Sequence, residues 1–273
     1  MNSKPETVTG NDDQDLKSCC ANVYQSDLAR FLLGDSFHPG GIALTEYLGT
    51  LLQLGPDKQL LDVAAGQGTS AIHLAQRFGC NVLGIEYSAV SVERANEAAQ
   101  ASDVAHLVTF KQGDAEHLPV SAESYDALIC ECAFCTFPNK ALAATEFLRV
   151  LKPGGMVGLS DLTRKTAEVP ADLQGLLAWI ACIADAQPLE RYVQYLVTAG
   201  FSMQTLEQHD QALSDMVREI HGKLLGAELL VKLNKLQLPG TIDFGQAKTM
   251  ARAAATAIKA QQFGYAVMTA SKV

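Results

Sequence analysis

A short glycine-containing segment, Asp62–Gly68, joins an apolar run that starts at Leu60 to an amphipathic run that starts at Ser70. A glycine turn at the end of a strand lets the backbone approach a bound ligand closely. In open α/β sheets, ligands lie at the carboxyl ends of the strands. The segment therefore predicts a ligand site beside Gly66 and Gly68.

Two carboxylates after the next apolar runs indicate that this ligand contains a nucleoside. Glu86 ends the second run, where an acidic residue in dinucleotide sites accepts hydrogen bonds from ribose hydroxyls. Asp114 follows the third run and is placed to accept from the exocyclic amine of adenine. Because the third glycine of G-x-G-x-x-G is missing, the pattern favours a ligand without a pyrophosphate. An ordinary turn with solvated strand ends explains each residue alone, but three successive acceptors favour the nucleoside site.

Thiols are concentrated where the fourth apolar run ends, in the segment Ile129–Cys135. Soft thiolates bind thiophilic centres, and a trivalent metalloid takes three sulfur ligands while its lone pair stays available. The single pair Cys132-x-x-Cys135 is a weak signal for zinc, which needs more ligands. Cys80 and Cys130 lie on apolar runs and are interpreted as buried. The chain also contains Cys19, Cys20 and Cys182.

The runs that carry these residues alternate between apolar and amphipathic character, which predicts parallel strands joined by crossover helices. A breaker cluster, Lys152–Gly155, precedes the fifth apolar run. The predicted strands and helices are Leu60–Ala64, Ser70–Phe78, Asn81–Glu86, Val90–Gln100, His106–Gln112, Tyr125–Cys132, Lys140–Val150 and Met156–Asp161.

The flanking segments divide the chain into three predicted parts. Residues 1–17 are polar and predict a flexible arm. Residues 18–163 form a helical cap, with two helices split at Phe37–Gly41, followed by the ligand-binding domain. Residues 164–273 supply substrate-covering helices and final strands that complete the same domain, including the helix Leu189–Ala199 and the strand Phe263–Ser271.

The composition excludes several classes of protein. With 273 residues, 48% hydrophobic and 19% charged, the chain can bury one large α/β core. A net charge of −9 argues against a nucleic-acid partner. No apolar run reaches the length of a membrane helix and no signal peptide is recognisable, so we expect a cytoplasmic protein with reduced thiols and no membrane partner. The oligomeric state is not predicted.

The motifs Asp62-x-Ala64-x-Gly66-x-Gly68, Glu86, Asp114 and Leu151–Gly155 resemble those of the class I S-adenosylmethionine-dependent methyltransferases, over about residues 60–162. The resemblance implies a doubly wound, Rossmann-like, seven-stranded α/β sheet whose last strand is antiparallel. It also implies S-adenosylmethionine as the cofactor, with the methionine part at Gly66 and Gly68, the ribose at Glu86 and the adenine at Asp114. The family usually has glycine where Ala64 stands. The full implied cofactor site comprises Asp62, Ala64, Gly66, Gly68, Glu86, Tyr87, Asp114, Ala115 and Glu131.

A second resemblance, over about residues 60–201, is to the arsenite methyltransferases. It rests on Cys132 after the fourth strand, Ser160-Asp161 at the end of the fifth, and the segment from Cys182 to Ala186. The resemblance implies that Cys132 and Cys182 bind trivalent arsenic. The family's amino-terminal aromatic-glycine-cysteine segment is not found, and Cys19 and Cys20 are candidate substitutes as arsenic ligands.

Three functions follow as alternatives. The first is methylation of a soft small acceptor, arsenite or a methylarsenical, whose lone pair needs no general base. The second is an S-methyltransferase for sulfide, methanethiol or another small metabolite, in which His38 or Glu131 acts as the base. The third is a non-catalytic metalloid-binding protein. His38 is alternatively a ligand of the methionine carboxylate or a helix cap.

Overall fold

Seven strands form one sheet in the computed structural model, which describes Lys17, Gly34, residues 36–165, Ile183, residues 185–233, Lys235 and residues 243–273. The strands are β1 Gln59–Val63, β2 Asn81–Glu86, β3 Val108–Gln112, β4 Tyr125–Glu131, β5 Leu151–Arg164, β6 Phe201–Gln208 and β7 Phe263–Lys272. The described α-helices are α1 Gly41–Leu51, α2 Thr69–Phe78, α3 Ala89–Gln100, α4 Lys140–Val150, α5 Leu189–Ala199, α6 Asp210–Lys232 and α7 Phe244–Lys259.

The strand order is β3-β2-β1-β4-β5-β7-β6. Strands β1 to β5 run parallel, and β7 lies antiparallel between β5 and β6. The doubly wound sheet with an antiparallel last strand is therefore confirmed. Strand β1 is buried from Leu60 to Val63, as expected for a central parallel strand covered by helices on both faces.

Two glycines are required where α2 packs on the sheet. A Cβ atom at Gly84 in β2 would lie 2.2 Å from Phe110 Cδ1, and one at Gly68 would lie 2.4 Å from Phe110 Cζ. The ring of Phe110 thus fills the space that both missing side chains leave. This packing sets the start of α2 directly after the glycine turn.

The structure corrects several element boundaries. Strand β5 begins at Leu151 and continues to Arg164, because its last residues pair with the start of β7. The predicted breaker Lys152–Gly155 therefore lies within the range of β5, beside a register shift against β4 and with a positive φ of 75° at Gly154. Strand β6 is not predicted individually from the sequence. Among the described residues, no helix has the length and apolar character needed to cross a membrane.

Candidate cofactor and acceptor site

A cavity lies at the carboxyl ends of the central parallel strands. The predicted site residues that line it are His38, Asp62, Ala64, Gly66, Glu86, Tyr87, Asp114, Ala115, Glu131 and Cys132. Gly68 lies outside this lining, where it forms the N-cap of α2 against Phe110. Cys19, Cys20 and Cys182 lie outside the described residues.

The turn after β1 contains three left-handed residues. The φ angles are 60° at Ala64, 55° at Gly66 and 83° at Gly68. Glycine adopts this region without steric conflict, whereas an alanine Cβ meets the following carbonyl there. The alanine at position 64 is therefore compatible with the turn but strains its backbone.

Glu86 is tied to the glycine turn through both carboxylate oxygens. Its Oε2 accepts from the backbone N–H of Gly66 at 3.0 Å, and its Oε1 accepts from that of Ser88 at 2.8 Å. Burial raises the pKa of Glu86, while these backbone donors and that of Tyr87 oppose the rise. Each oxygen keeps a second lone pair with which it can accept from a ligand hydroxyl.

Asp114 is paired with a lysine from the amino-terminal segment. Lys17 Nζ donates to Asp114 Oδ2 at 2.8 Å and to Glu116 Oε2 at 2.6 Å. Burial alone would lower the pKa of Lys17, but the bonds to the two carboxylates raise it above its ordinary value. The last residue of the predicted flexible arm is thus helical and lines the cavity.

Asp62 is a buried carboxylate whose Oδ2 has no hydrogen-bond partner among the described residues. Burial raises the pKa of Asp62 well above its ordinary value, and the nearby charges of Glu131 and Glu86 raise it further. Three carboxylates therefore approach one another at the cavity wall. A cationic ligand group would relieve their mutual repulsion.

Glu131 ends β4 and meets hydroxyl groups from two helices. Its Oε2 accepts from Thr45 Oγ1 at 2.9 Å and from Ser70 Oγ at 2.9 Å. His38 Nε2 lies 3.5 Å from the same oxygen and 3.2 Å from Thr45 Oγ1. The structure thus brings the two predicted base candidates together and adds Thr45 between them.

Cys132 follows β4 in a left-handed conformation with φ 52°. Its backbone N–H donates to the carbonyl oxygen of Ser160 at 2.6 Å, and the hydroxyl of Tyr265 donates to Ser160 Oγ at 3.0 Å. Burial raises the pKa of Tyr265 well above its ordinary value, with a further contribution from Cys132. Side chains in such uncommon backbone conformations cluster at functional sites.

The other described cysteines lie outside the cavity lining. Cys80, Cys130 and Cys135 are completely buried in the core. Burial raises the pKa of Cys80 to about 11 and raises that of Cys130 well above its ordinary value. Among residues with a described position, no group of three or more His, Cys, Asp or Glu side chains is arranged to hold a metal ion.

Several site residues were missed by sequence reasoning. Thr45, Ser70 and Tyr265 lie on elements far apart in the chain, and no local pattern marks their convergence. Lys17 lies in a polar segment whose composition indicates flexibility. The only local signal is the position of Ser70 one residue after the start of α2, beside the glycine turn.

Comparisons with known proteins agree with this geometry. The family described as "Methyltransferase domain" matches residues 61–159. The 27-O-demethylrifamycin SV methyltransferase of Amycolatopsis mediterranei is 30% identical over 200 residues, which cover 68% of this chain and 74% of that protein. The arsenite methyltransferase of Halobacterium salinarum is 30% identical over 162 residues, which cover 58% of this chain and 41% of that protein.

Solved structures share the fold. A putative sarcosine dimethylglycine methyltransferase from Galdieria sulphuraria superposes with a TM-score of 0.79 at 19% identity, covering 92% of this chain and 98% of that one. The [4+2]-cyclase SpnF superposes with a TM-score of 0.75 at 23% identity, covering 95% and 96%. From the family match and the rifamycin relative, the chain belongs to the class I S-adenosylmethionine-dependent methyltransferases and is an enzyme that uses this cofactor.

Proposed function

We propose that this enzyme transfers the methyl group of S-adenosylmethionine to a soft small acceptor held by Cys132, with trivalent arsenic as the first candidate. The observation that carries the proposal is the position of Cys132. It lines the cavity directly after Glu131, whereas Cys130 and Cys135 on either side of it in the sequence do not. The similarity to an arsenite methyltransferase supports the same acceptor.

The cavity lining fits the proposed cofactor. S-adenosylmethionine carries a sulfonium and an ammonium group, and the buried carboxylates of Asp62 and Glu131, with the unpartnered Asp62 Oδ2, offer counter-charge for these cations. Glu86, fixed by Gly66 and Ser88, would accept from the ribose hydroxyls. Asp114, with Ala115 beside it, would accept from the adenine amine.

Arsenic in its trivalent state binds three sulfur atoms and keeps a lone pair. Cys132 would supply one sulfur, and the others would come from Cys182, Cys19 or Cys20, or from small-molecule thiols. Asp185, three residues after Cys182, is held next to the cavity wall, because Lys140 Nζ donates both to Asp185 and to the carbonyl oxygen of Phe137, which lines the cavity. When bound, S-adenosylmethionine would supply an electrophilic methyl group: the arsenic lone pair would form the carbon–arsenic bond while the carbon–sulfonium bond breaks and S-adenosylhomocysteine leaves, so no general base is needed.

The test is to incubate the purified enzyme with S-adenosylmethionine, arsenite and a thiol reductant, and to measure methylated arsenic. We expect Cys132→Ala to abolish turnover. The affinity for S-adenosylhomocysteine should change by less than about threefold, because the thiol is proposed to bind the acceptor and not the cofactor. Cys135→Ala is the matched control, because it removes a sulfur three residues away that does not line the cavity. Cys182→Ser tests the second proposed ligand. Wild-type enzyme that forms no methylated arsenic would refute this acceptor.

A second candidate is methyl transfer to a protic acceptor such as sulfide, methanethiol or another small metabolite. It is favoured by the pairing of His38 with Glu131 at the cavity, which offers a base for the acceptor proton. The test is the same assay with sulfide and methanethiol in place of arsenite. Turnover of a thiol that survives Cys132→Ala would support this candidate and exclude Cys132 as the acceptor ligand.

A further inference from the structure

A lysine and two carboxylates meet where the loop after β3 reaches the cavity. Lys17 Nζ donates to Asp114 Oδ2 at 2.8 Å and to Glu116 Oε2 at 2.6 Å, and the Lys17 side chain is only 15% exposed. Lys17 and Asp114 both line the cavity, whereas Glu116 does not. The cavity wall therefore presents an ammonium donor and a carboxylate acceptor side by side.

Backbone groups of the sheet domain fix both carboxylates. Asp114 Oδ1 accepts from the backbone N–H of Glu116 at 2.9 Å. Glu116 is buried, and its Oε1 accepts from the backbone N–H of Asn139, the N-cap of α4, at 2.6 Å. The remaining oxygen of each carboxylate holds Lys17 Nζ. The position of the ammonium is thus set by groups whose own positions are set by the fold.

The ammonium of Lys17 has a donor to spare. Burial opposes the positive charge, but the bonds to Asp114 and Glu116 raise the pKa of Lys17 above its ordinary value, so the group is charged at neutral pH. An ammonium carries three N–H donors and no acceptor. Two donors go to the carboxylates, and the described part of the chain offers Nζ no further acceptor. One N–H therefore remains on a group that lines the cavity.

Adenine presents a pattern that this pair can match. Its exocyclic amine is a donor and lies between two ring acceptors, N1 and N7. Asp114 is proposed above to accept from the amine, and its carboxylate keeps open lone pairs after accepting from Glu116 and Lys17. Because Lys17 Nζ lies 2.8 Å from Asp114 Oδ2, a ligand amine bound to Asp114 brings a ring nitrogen toward the ammonium.

We propose that Lys17 is a further cofactor-binding residue, which donates its remaining N–H to the adenine ring nitrogen beside the amine accepted by Asp114. The inference deepens the proposed function, because it rests on the proposed placement of the adenine at Asp114. Lys17 precedes residues 61–159, which match the methyltransferase family. The amino-terminal part of the chain would then take part in cofactor recognition together with the family domain.

The test removes the ring nitrogens one at a time. Calorimetric titration compares S-adenosylhomocysteine with its 1-deaza and 7-deaza analogues, in which C–H replaces N1 or N7, and with the analogue that carries hydrogen instead of the 6-amine. In wild-type enzyme we expect one deaza analogue to bind about tenfold or more weakly, because a hydrogen bond to a charged donor is lost.

In Lys17→Met, which keeps the length of the side chain and removes the ammonium, this deaza penalty should fall below about threefold. Lys259→Met, at the exposed end of α7, is the matched control and should keep the full penalty. The comparison is made between ligands within one variant, so a general loss of affinity in Lys17→Met cancels. A purely structural salt bridge would weaken all ligands alike and leave the penalty unchanged.

An undiminished penalty in Lys17→Met would overturn the proposal, and so would full affinity of wild-type enzyme for both deaza analogues. Full affinity of wild-type enzyme for the analogue without the 6-amine would refute the placement of the adenine at Asp114, and the role of Lys17 would fall with it. A penalty for that analogue with none for either deaza analogue would overturn the role of Lys17 alone and leave the placement of the adenine standing.

Discussion

The backbone N–H of Cys132 donates to the carbonyl oxygen of Ser160 at 2.6 Å and so links the residue after β4 to β5. Ser160 is held in turn by the hydroxyl of Tyr265 on β7, at 3.0 Å. The strands β4, β5 and β7 thus hold Cys132 at a φ of 52°, a backbone conformation that is unfavourable for every residue except glycine. Because the sheet sets this backbone, exchanging the Cys132 side chain should leave the direction of its Cα–Cβ bond unchanged.

Replacing Glu86 by glutamine should weaken cofactor binding. Both oxygens of Glu86 accept backbone N–H groups, so a glutamine NH₂ must face one of these donors. In the complex the amide would also replace the charged acceptor proposed for a ribose hydroxyl, and losing a hydrogen bond to a charged group costs roughly 1.5–3 kcal/mol, which corresponds to about a tenfold to hundredfold higher Kd. Calorimetric titration with S-adenosylhomocysteine measures the change, and Glu97→Gln on the exposed surface of α3 is the control. Equal affinities for wild type and Glu86→Gln would contradict the proposed role of Glu86 as the acceptor of the ribose hydroxyls.

The stability of the ligand-free enzyme should depend on the protonation of Asp62. The folded-state pKa is raised above the ordinary value of 3.8, chiefly by burial. The neutral form is therefore favoured in the folded protein, and its stabilising contribution is complete below the unfolded-state pKa and lost as the pH rises through the folded-state pKa. Asp62→Asn should raise the unfolding temperature relative to wild type at alkaline pH, with a smaller gain in acid. Asp57→Asn on the surface should show no such trend.

The same burial predicts proton release when a cationic cofactor binds. A positive charge near Asp62 lowers the pKa that burial raises, so at a pH between the two pKa values this carboxyl ionises when the cofactor binds. Calorimetry with S-adenosylmethionine in buffers of different ionisation enthalpy counts the released protons. S-adenosylhomocysteine lacks the sulfonium charge but keeps the ammonium group, so it should release fewer protons if Asp62 faces the sulfonium, and Asp62→Asn should remove the difference. Identical proton counts for the two ligands in wild type would contradict the placement of Asp62 near the sulfonium.

Ala64→Gly should stabilise the protein without altering the cofactor site. The left-handed conformation costs an alanine roughly 1–2 kcal/mol, and the greater freedom of glycine in the unfolded chain offsets up to about 1 kcal/mol of the gain. The expected increase in unfolding free energy is about 0.5–1 kcal/mol, measured by urea denaturation. The neighbouring Ala65→Gly is the matched control: position 65 has no positive φ, so this change should destabilise the protein.

Gly68→Ala should destabilise strongly for two separate reasons. The added Cβ would approach Phe110 Cζ to 2.4 Å, and the residue has a φ of 83°. Overpacking costs typically about 1–3 kcal/mol, and the left-handed conformation adds roughly 1–2 kcal/mol. Gly222→Ala on α6, where a Cβ meets nothing within 4 Å, should instead stabilise its helix. A Gly68→Ala protein as stable as wild type would show that the turn can rearrange.

The features that could be predicted from the sequence are those carried by local patterns. The bounds of β2, α4 and α5 match the predicted runs Asn81–Glu86, Lys140–Val150 and Leu189–Ala199. The glycine turn and the carboxylates that follow the strands are likewise local, because strand ends and acceptors occur together in the sequence. Strand β6 is harder to predict from the sequence. It is an edge strand whose outward positions are exposed, so its alternation of apolar and polar residues is weak.

The acceptor side of the cavity could not be predicted in the same way. The predicted burial of Cys130 is confirmed, but no pattern in the sequence separates Cys132 from Cys135, and it is the turn after β4 that buries Cys135 in the core and leaves Cys132 at the cavity. Thr45 reaches Glu131 across 86 positions of sequence, a contact that only the packing of α1 on the sheet creates. Neither the position of Cys132 at the cavity nor the contact between Thr45 and Glu131 produces a periodic pattern in the sequence.

The position of β7 between β5 and β6 has a consequence for synthesis of the chain. About 100 residues separate the end of β5 from the start of β7. At ribosomal rates this interval lasts roughly 5–20 s, during which β5 lacks its neighbour, and β6, made partway through the interval, lacks its neighbour for about the second half. Unpaired strand edges invite pairing with other chains. The nascent protein therefore passes through an aggregation-prone interval, and slow translation or a stall within α6 or α7 would lengthen it.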